Sequence, residues 1–361
     1  MTSQEQVVVN VIAVVPPPYN GMTAVSQEFA NELSRRFRTK EFLIKRPRFI
    51  RSSLWPLYRQ IALLWRVVEV LILSRGPIYF VLDSGLGVWG NYLVHLPLLA
   101  LSRRVLIVHH HVFSYLHKYD PRVGGIIRMG GERALHIVLC DCMQEGFRSL
   151  YPKAGNILAL ANASFSNIEK TSRKRERLRR VGFLGNITRE KGIGLFMRTV
   201  RELRTRGLLV DVDIGGPIAD RVVEKEVNAF VAEDPGRRRF VGPVYGTEKQ
   251  EFFDHIDVLL FPSQYINEAQ PVTIYEALAS GVPVLATERG CVPEQLREEW
   301  VFPEEDYVSK VSGTLSCWAS DERRYALEVI HAEKAWNDAV DSSRQQFKVV
   351  CDSIVSLGVH N

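Results

Sequence analysis

The chain has 361 residues, more than one hydrophobic core usually fills, so two domains are expected. With 46% apolar and 24% charged residues, 17 Phe, 12 Tyr and 6 Trp, it excludes bulk disorder and has the composition of an ordinary enzyme. The net charge of +5 hides an asymmetry: residues 1–160 hold 19 Lys+Arg against 10 Asp+Glu, and the remainder is net acidic.

In chain order, VVVNVIAVV at 7–15 follows no cationic leader and no small-residue cleavage site, so it reads as a buried strand and not as an export signal. Helices are expected from about Thr23 to Phe37 and from about Leu57 to Ser74. The second is apolar, but Pro56, Arg59, Arg66 and Glu69 argue against a membrane-spanning segment. Between them, Arg35, Arg36, Arg38, Lys40, Lys45, Arg46, Arg48 and Arg51 face a single acid, Glu41. Strands at 77–83, 105–111, 134–140 and 156–162, with an apolar helical stretch at 92–102, complete a first half, and this alternation predicts a parallel sheet. The polar run 164–180 reads as a solvated linker and sets a domain boundary, because no aromatic residues interleave its charges as on a nucleic-acid surface. Alternation then repeats: strands at 181–185, 208–216, RRFVGPV, 257–263 and 282–287, helices at 192–206, 220–233, 247–255 and 271–280, and a last helix from about 322 to 358. Five cysteines cannot all pair, and Cys140 and Cys142 match no metal spacing, so a reduced, cytosolic compartment is expected.

The most informative stretch is DVLLFPSQYINEAQPVTIYEALASGVPVLAT, residues 257–287. A buried strand ends at Pro262, a polar loop runs to Gln270, Pro271 is expected at the first helical position, and Gly281 and Pro283 close the helix. In such a unit the ligand lies beyond the carboxyl end of the strand, and the free amides of Val272 and Thr273 offer a phosphate the positive end of the helix. Glu268 and Glu276 would repel a phosphate, so they serve another part of the ligand: carboxylates accept from vicinal hydroxyls, which a ribose or a hexose offers. The combination implies a polyol phosphate.

The pair Glu268 and Glu276 in NEAQPVTIYEALASGVPVLAT resembles the E-x7-E signature of family 4 of the retaining, nucleotide-sugar-dependent glycosyltransferases, which have the GT-B fold of two Rossmann-like α/β domains facing a cleft. VVPPPYNGMTAVSQEFANEL, VHHHVFSY, LALANAS, GFLGNITREKG, DIGGPIAD, RRFVGPV and ERGCVPE follow the family's order, from about residue 7 to 297. The resemblance implies that Glu268 contacts the transferred sugar, Glu276 the ribose hydroxyls, and Lys191 the pyrophosphate, stabilising it as it leaves. His111, with His109 as runner-up, aligns with the histidine near the anomeric carbon. Gly21 and the helix after it bring a second positive end to the cleft, Asn20 standing where relatives have another glycine. Many relatives have Arg where Asn186 stands; Arg189 is the candidate substitute. Val244, in RRFVGPV, is counted with Val272 and Thr273 among the donor-contacting positions.

Asp211 and Asp213 form a D-x-D, which holds a metal–diphosphate complex in another glycosyltransferase fold. Here the two alternate with apolar residues inside a strand, and metal-independent chemistry is expected. The three adjacent histidines 109–111 alternate in direction and cannot all converge on an ion. The implied protein moves a hexose from a UDP- or GDP-sugar to an acceptor hydroxyl, on a glycan or a lipid-linked glycan, with no further cofactor and no nucleic acid partner. Its domains are expected at 1–165 on the acceptor side and 166–340 on the nucleotide-sugar side, with 341–361 crossing back to the first. The basic strip 35–51 followed by Trp55, Tyr58 and Trp65 is either a peripheral contact with an anionic membrane, on the cytoplasmic side, or a solvated basic helix face with its aromatics in the core. Two rival functions are a nucleotide-sugar epimerase of the same fold, which needs no acceptor, and a non-catalytic nucleotide-sugar binder.

Overall fold

A computed structural model describes residues 7–17, 21–82, 87–165, 174–218 and 220–359. The chain forms two units, residues 1–166 with 341–361, and residues 167–340.

The first unit runs β1 (Val8–Val14), α1 (Gly21–Arg36), β2 (Arg38–Ile44), α2 (Trp55–Leu73), β3 (Ile78–Val81), α3 (Gly87–Gly90), a π-helical turn (Asn91–His95), α4 (Leu96–Leu101), β4 (Leu106–His109), α5 (Pro121–Gly130), β5 (Ala134–Val138), α6 (Asp141–Leu150) and β6 (Asn156–Ala159). Its six strands pair in parallel in the order β2-β1-β3-β4-β5-β6. Every residue of β3, β4 and β5 is buried, as a parallel sheet requires when helices cover both faces. The strand order reverses direction between β1 and β3, and loops at such a reversal part to leave a crevice.

Two expectations for this unit need correction. The basic strip is no helix face, because Arg38–Ile44 is an edge strand beside β1, with Arg38 and Lys40 exposed and Phe42 and Ile44 turned inward. Its aromatics also divide: Trp55 is buried and stacks on Tyr58 with centroids 6.0 Å apart, whereas Trp65 is exposed.

The second unit runs β7 (Arg180–Leu184), α7 (Ile193–Thr205), β8 (Asp211–Gly215), α8 (Arg221–Ala232), β9 (Arg238–Gly242), α9 (Thr247–His255), β10 (Val258–Phe261), α10 (Val272–Ala279), β11 (Val284–Thr287), α11 (Val292–Gln295), β12 (Val301–Phe302), α12 (Tyr307–Ser320) and α13 (Glu322–Val359). The strands are again all parallel, in the order β12-β11-β10-β7-β8-β9, with the reversal between β7 and β10. Counted from β7, this is the 3-2-1-4-5-6 order of a dinucleotide-binding sheet, which takes its ligand at the reversal.

The run 164–180 is not wholly a solvated linker, and its residues 166–173 lie outside the described ones. Arg175 is buried and donates to the carbonyls of Phe253, Ile256 and Ser280 at 2.7, 3.1 and 2.5 Å, so it closes the bottom of the sheet. Helix α13 contributes residues 322–340 to the second unit and 341–359 to the first. In the second, the Tyr325 hydroxyl donates to the Asp257 carbonyl at 2.9 Å; in the first, Phe347 meets Phe29 and Phe165 at 5.6 and 5.7 Å.

Candidate active site

Three loops converge where the order of the second sheet reverses. After β7 the chain turns through Thr188–Gly192 before α7, and Gly192 has φ +82°, where a Cβ would lie 1.7 Å from the Pro262 carbonyl oxygen. Only glycine lets this loop press against the end of β10. The loop after β11 approaches as closely, since a Cβ on Gly290, at φ +50°, would lie 2.0 Å from the Glu268 carbonyl oxygen. The Gln264 amide donates to the Glu190 carbonyl at 2.8 Å and the Cys291 amide to that of Ala269 at 2.9 Å, which fixes the loop 262–271 from both sides.

The side chains follow from these contacts. Glu268 is buried, and its Oε2 accepts from Lys191 Nζ and from the Ser263 hydroxyl, each at 2.6 Å. The same ammonium lies 4.8 Å from the centroid of the Tyr265 ring, a cation–π contact. Glu276, also buried, pairs with Lys249 on the first turn of α9. Both carboxylates of the E-x7-E pair are thus held by lysines, on either side of the start of α10. Pro271 is not the first helical residue but precedes it, at φ −65°, ψ 119°; its carbonyl accepts from Ile274 N at 3.2 Å and Gln295 Nε2 at 3.1 Å, and α10 begins at Val272. The Val272 and Thr273 amides have no acceptor among the described residues. At the other end, Gly281 N donates to Leu278 O and Val282 N to Ala277 O, each at 2.9 Å, closing the helix with the expected glycine turn.

Other expected residues make contacts outside this cluster. Arg189 is exposed and pairs with Glu226 on α8, and Asn186 is exposed. Val244 lies in the loop before α9 and lines a shallow depression with Arg239 and Phe252. The D-x-D is occupied by arginines: Asp213 accepts from Arg239 Nε and Nη2 at 2.9 and 2.7 Å, and Asp211 from Arg180 and Arg237 at 3.0 and 3.3 Å. Lys249, Ser263 and Tyr265 were not legible as site residues. The single signal for Lys249 was indirect, since an acid on an otherwise apolar helix requires a cation partner.

In the first unit, Gly21 opens α1 and is exposed, while Asn20 lies outside the described residues. At the end of β4 the three histidines separate. His109 Nδ1 bonds the Tyr79 hydroxyl at 2.8 Å, and its ring lies 4.1 Å from that of His111. His110 turns the other way, to the Tyr115 hydroxyl at 2.6 Å and to His136 Nδ1 at 3.0 Å. Burial holds His109 and His110 well below the usual imidazole range and pushes His111 and His136 down to about 4, so all four are neutral at pH 7. The Nε2 atoms of His109, His111 and His136 are enclosed without a hydrogen-bond partner among the described residues.

Two sheets of this topology make up the GT-B fold of the glycosyltransferases. Residues 179–319, all in the second unit, match the family model described as Glycosyl transferases group 1. The chain is 33% identical over 118 residues to a lipopolysaccharide 1,2-N-acetylglucosaminetransferase of Salmonella typhimurium, a match covering 31% of each chain. It is 26% identical over 136 residues to the amylovoran biosynthesis glycosyltransferase AmsK of Erwinia amylovora, covering 35% of this chain and 33% of that one. The matched segments span about a third of the length of these curated relatives. Among solved structures, Anabaena Alr3699/HepE in complex with UDP and glucose superposes with a TM-score of 0.73 at 16% identity, over 96% of this chain and 100% of that one. No helix among the described residues is long and apolar enough to cross a membrane.

Proposed function

We propose that the protein is a retaining glycosyltransferase that moves a hexose from a nucleoside diphosphate sugar to an acceptor hydroxyl of a glycan or lipid-linked glycan. The observation that carries the reading is the Lys191–Glu268 pair at the reversal of the second sheet, beside a helix start with free amides. A carboxylate suits sugar hydroxyls, and an ammonium beside it suits the diphosphate to which that sugar is bonded. Glu276 takes the ribose hydroxyls, and Lys249 adds a second cation near the nucleotide. The UDP bound by the Anabaena neighbour supports a nucleoside diphosphate donor.

In this mechanism the bond from C1 to the diphosphate oxygen breaks with its electron pair going to the diphosphate. Lys191 and the Val272 and Thr273 amides absorb the developing charge, as preorganised dipoles do without reorganising at the moment of reaction. The acceptor oxygen bonds C1 on the face the diphosphate leaves, and its proton passes to a diphosphate oxygen. No metal ion is required by this scheme, because the charge is met by lysines and amides.

The test is a thermal-shift screen of nucleoside diphosphates followed by product analysis. One nucleoside diphosphate should raise the melting temperature. With its sugar, product should form only when an acceptor is present, and Lys191→Met should lower kcat/KM by about two to three orders of magnitude. If no nucleoside diphosphate shifts the melting temperature, the reading is wrong; a changed sugar without acceptor would make the protein an epimerase, and binding without turnover a binder.

A further inference from the structure

Helix α2 has more apolar surface than the sheet beneath it can cover. Leu63, Val67 and Val70 are buried on the side toward β1 and β2, and Arg59, Arg66 and Glu69 form a polar arc, with Arg66 and Glu69 paired at 2.6 Å. The remaining arc carries Leu57, Ile61, Trp65 and Ile72, each at least 61% exposed. The neighbouring π-helical turn and α4 extend the same kind of surface with Leu93 and Leu101, 60% and 71% exposed. Six large apolar side chains more than half in water, on adjoining elements, exceed the scattered exposure of an ordinary surface and mark a docking face.

The charges around this face identify what it meets. From Arg35 to Arg66 the chain holds ten lysines and arginines against one acid, Glu41. Exposed Lys45, Arg48 and Arg51 lead into the start of α2. At its other end Arg104 donates to the carbonyls of Val70 and Leu71, each at 3.1 Å, and Lys40 to that of Leu73 at 3.3 Å. Cations therefore stand at both ends of an apolar strip. A second copy of the same face would oppose cation to cation, and a nucleic acid has no use for the leucines. An anionic bilayer matches both features, with acyl chains under the apolar side chains and headgroups against the lysines and arginines.

We propose that the α2–α4 face of the first unit seats the protein on an anionic phospholipid surface, with Ile61 and Trp65 at the centre of the contact. The helix lies in the plane of the interface, because the charges on its polar arc bar it from crossing the hydrocarbon. The proposal stands apart from the donor chemistry, which resides in the second unit.

Flotation of the full chain with vesicles tests it, without any donor present. The chain should rise with vesicles rich in phosphatidylglycerol at low salt, stay behind with pure phosphatidylcholine, and detach largely at about 0.5 M salt. Trp65→Glu and the pair Arg48→Glu and Arg51→Glu should each weaken binding at least about tenfold while leaving the melting temperature near that of the parent. Since these side chains project into water, turnover of a water-soluble acceptor should be unchanged in all of them. Failure to rise with anionic vesicles would overturn the proposal, as would equal binding by Trp65→Glu. A dimer in sedimentation that Trp65→Glu makes monomeric, without vesicle binding, would assign the face to a second copy instead.

Discussion

Glu276 sits on α10, whose sequence VTIYEALA has no other charge, and Lys249 is the partner that makes an acid tolerable there. Removing the lysine takes away the cation that this buried carboxylate is paired with. Lys249→Met should destabilise the second unit by about 1–3 kcal/mol in urea titrations and raise the KM for donor more than it lowers kcat. The double change Lys249→Met with Glu276→Leu should regain most of that stability, since an apolar pair replaces an ionic one, yet bind donor no better. Recovery of donor binding in the double variant would show that neither side chain meets the nucleotide. In the first unit, the imidazole of His136 has the opposite problem, a proton it cannot take up. Its proton affinity in the native state corresponds to about 4, whereas the unfolded chain takes up the proton near 6.5, so the unfolded state binds more protons between these values. Stability is full above about pH 6.5 and falls as the pH drops toward 4, by about 3 kcal/mol for this one group. The urea midpoint of the first unit should therefore decline over that window, less steeply in His136→Leu. Residue chemistry made Glu268 and Glu276 candidates from the sequence, because acids around a strand–loop–helix frame imply hydroxyls beside a phosphate, whereas Lys191 entered only through the family resemblance. It could not expose the Lys249 pairing, which depends on how α9 meets α10.

At the scale of elements, the loop between β7 and α7 is the most exposed to mutation. Gly192→Ala would drive a Cβ into the Pro262 carbonyl, which is backbone and has nowhere to go. The expected loss is about 3 kcal/mol or more of second-unit stability, together with donor binding, because Lys191 is the adjacent residue. A variant that kept donor affinity would mean that Lys191 finds its place by another route. The buried strands were readable as continuous apolar runs, and the helices between them as punctuated by Gly, Pro and polar caps. What escaped was β2: with RTKEFLI showing four exposed or half-exposed positions before Phe42, an edge strand looks like a charged surface until its pairing with β1 is known. The stretch from 295 to 321 was silent for a related reason, since β12 has two residues and α12 takes its direction from packing on α7. Arg175 escaped because a lone arginine in a charged run carries no sign that three carbonyls await it.

At the scale of the whole molecule, the last helix decides how the units depend on the chain. In the first unit Ser343 donates to the Ala161 carbonyl at 2.6 Å, Gln346 accepts from the Ala161 amide at 2.9 Å, and Phe347 fills the space beside Phe29 and Phe165. Phe347→Ala should cost the first unit about 3–5 kcal/mol. A chain ending at Val340 should lose the first unit's thermal transition altogether, since a domain has only about 5–15 kcal/mol in reserve, while calorimetry still records the second. Two surviving transitions would show that residues 341–359 are an ornament of the first unit and not part of its core.

That shared helix also reverses the usual order in which a growing polypeptide acquires its parts. The sheet begun first at the ribosome lacks its closing segment until the entire second unit has been made, a wait of roughly 10–35 s at typical rates of translation. Throughout that interval Phe29 and Phe165 are without their partner, and the nascent first half is the stage at which a chaperone would have the most to hold.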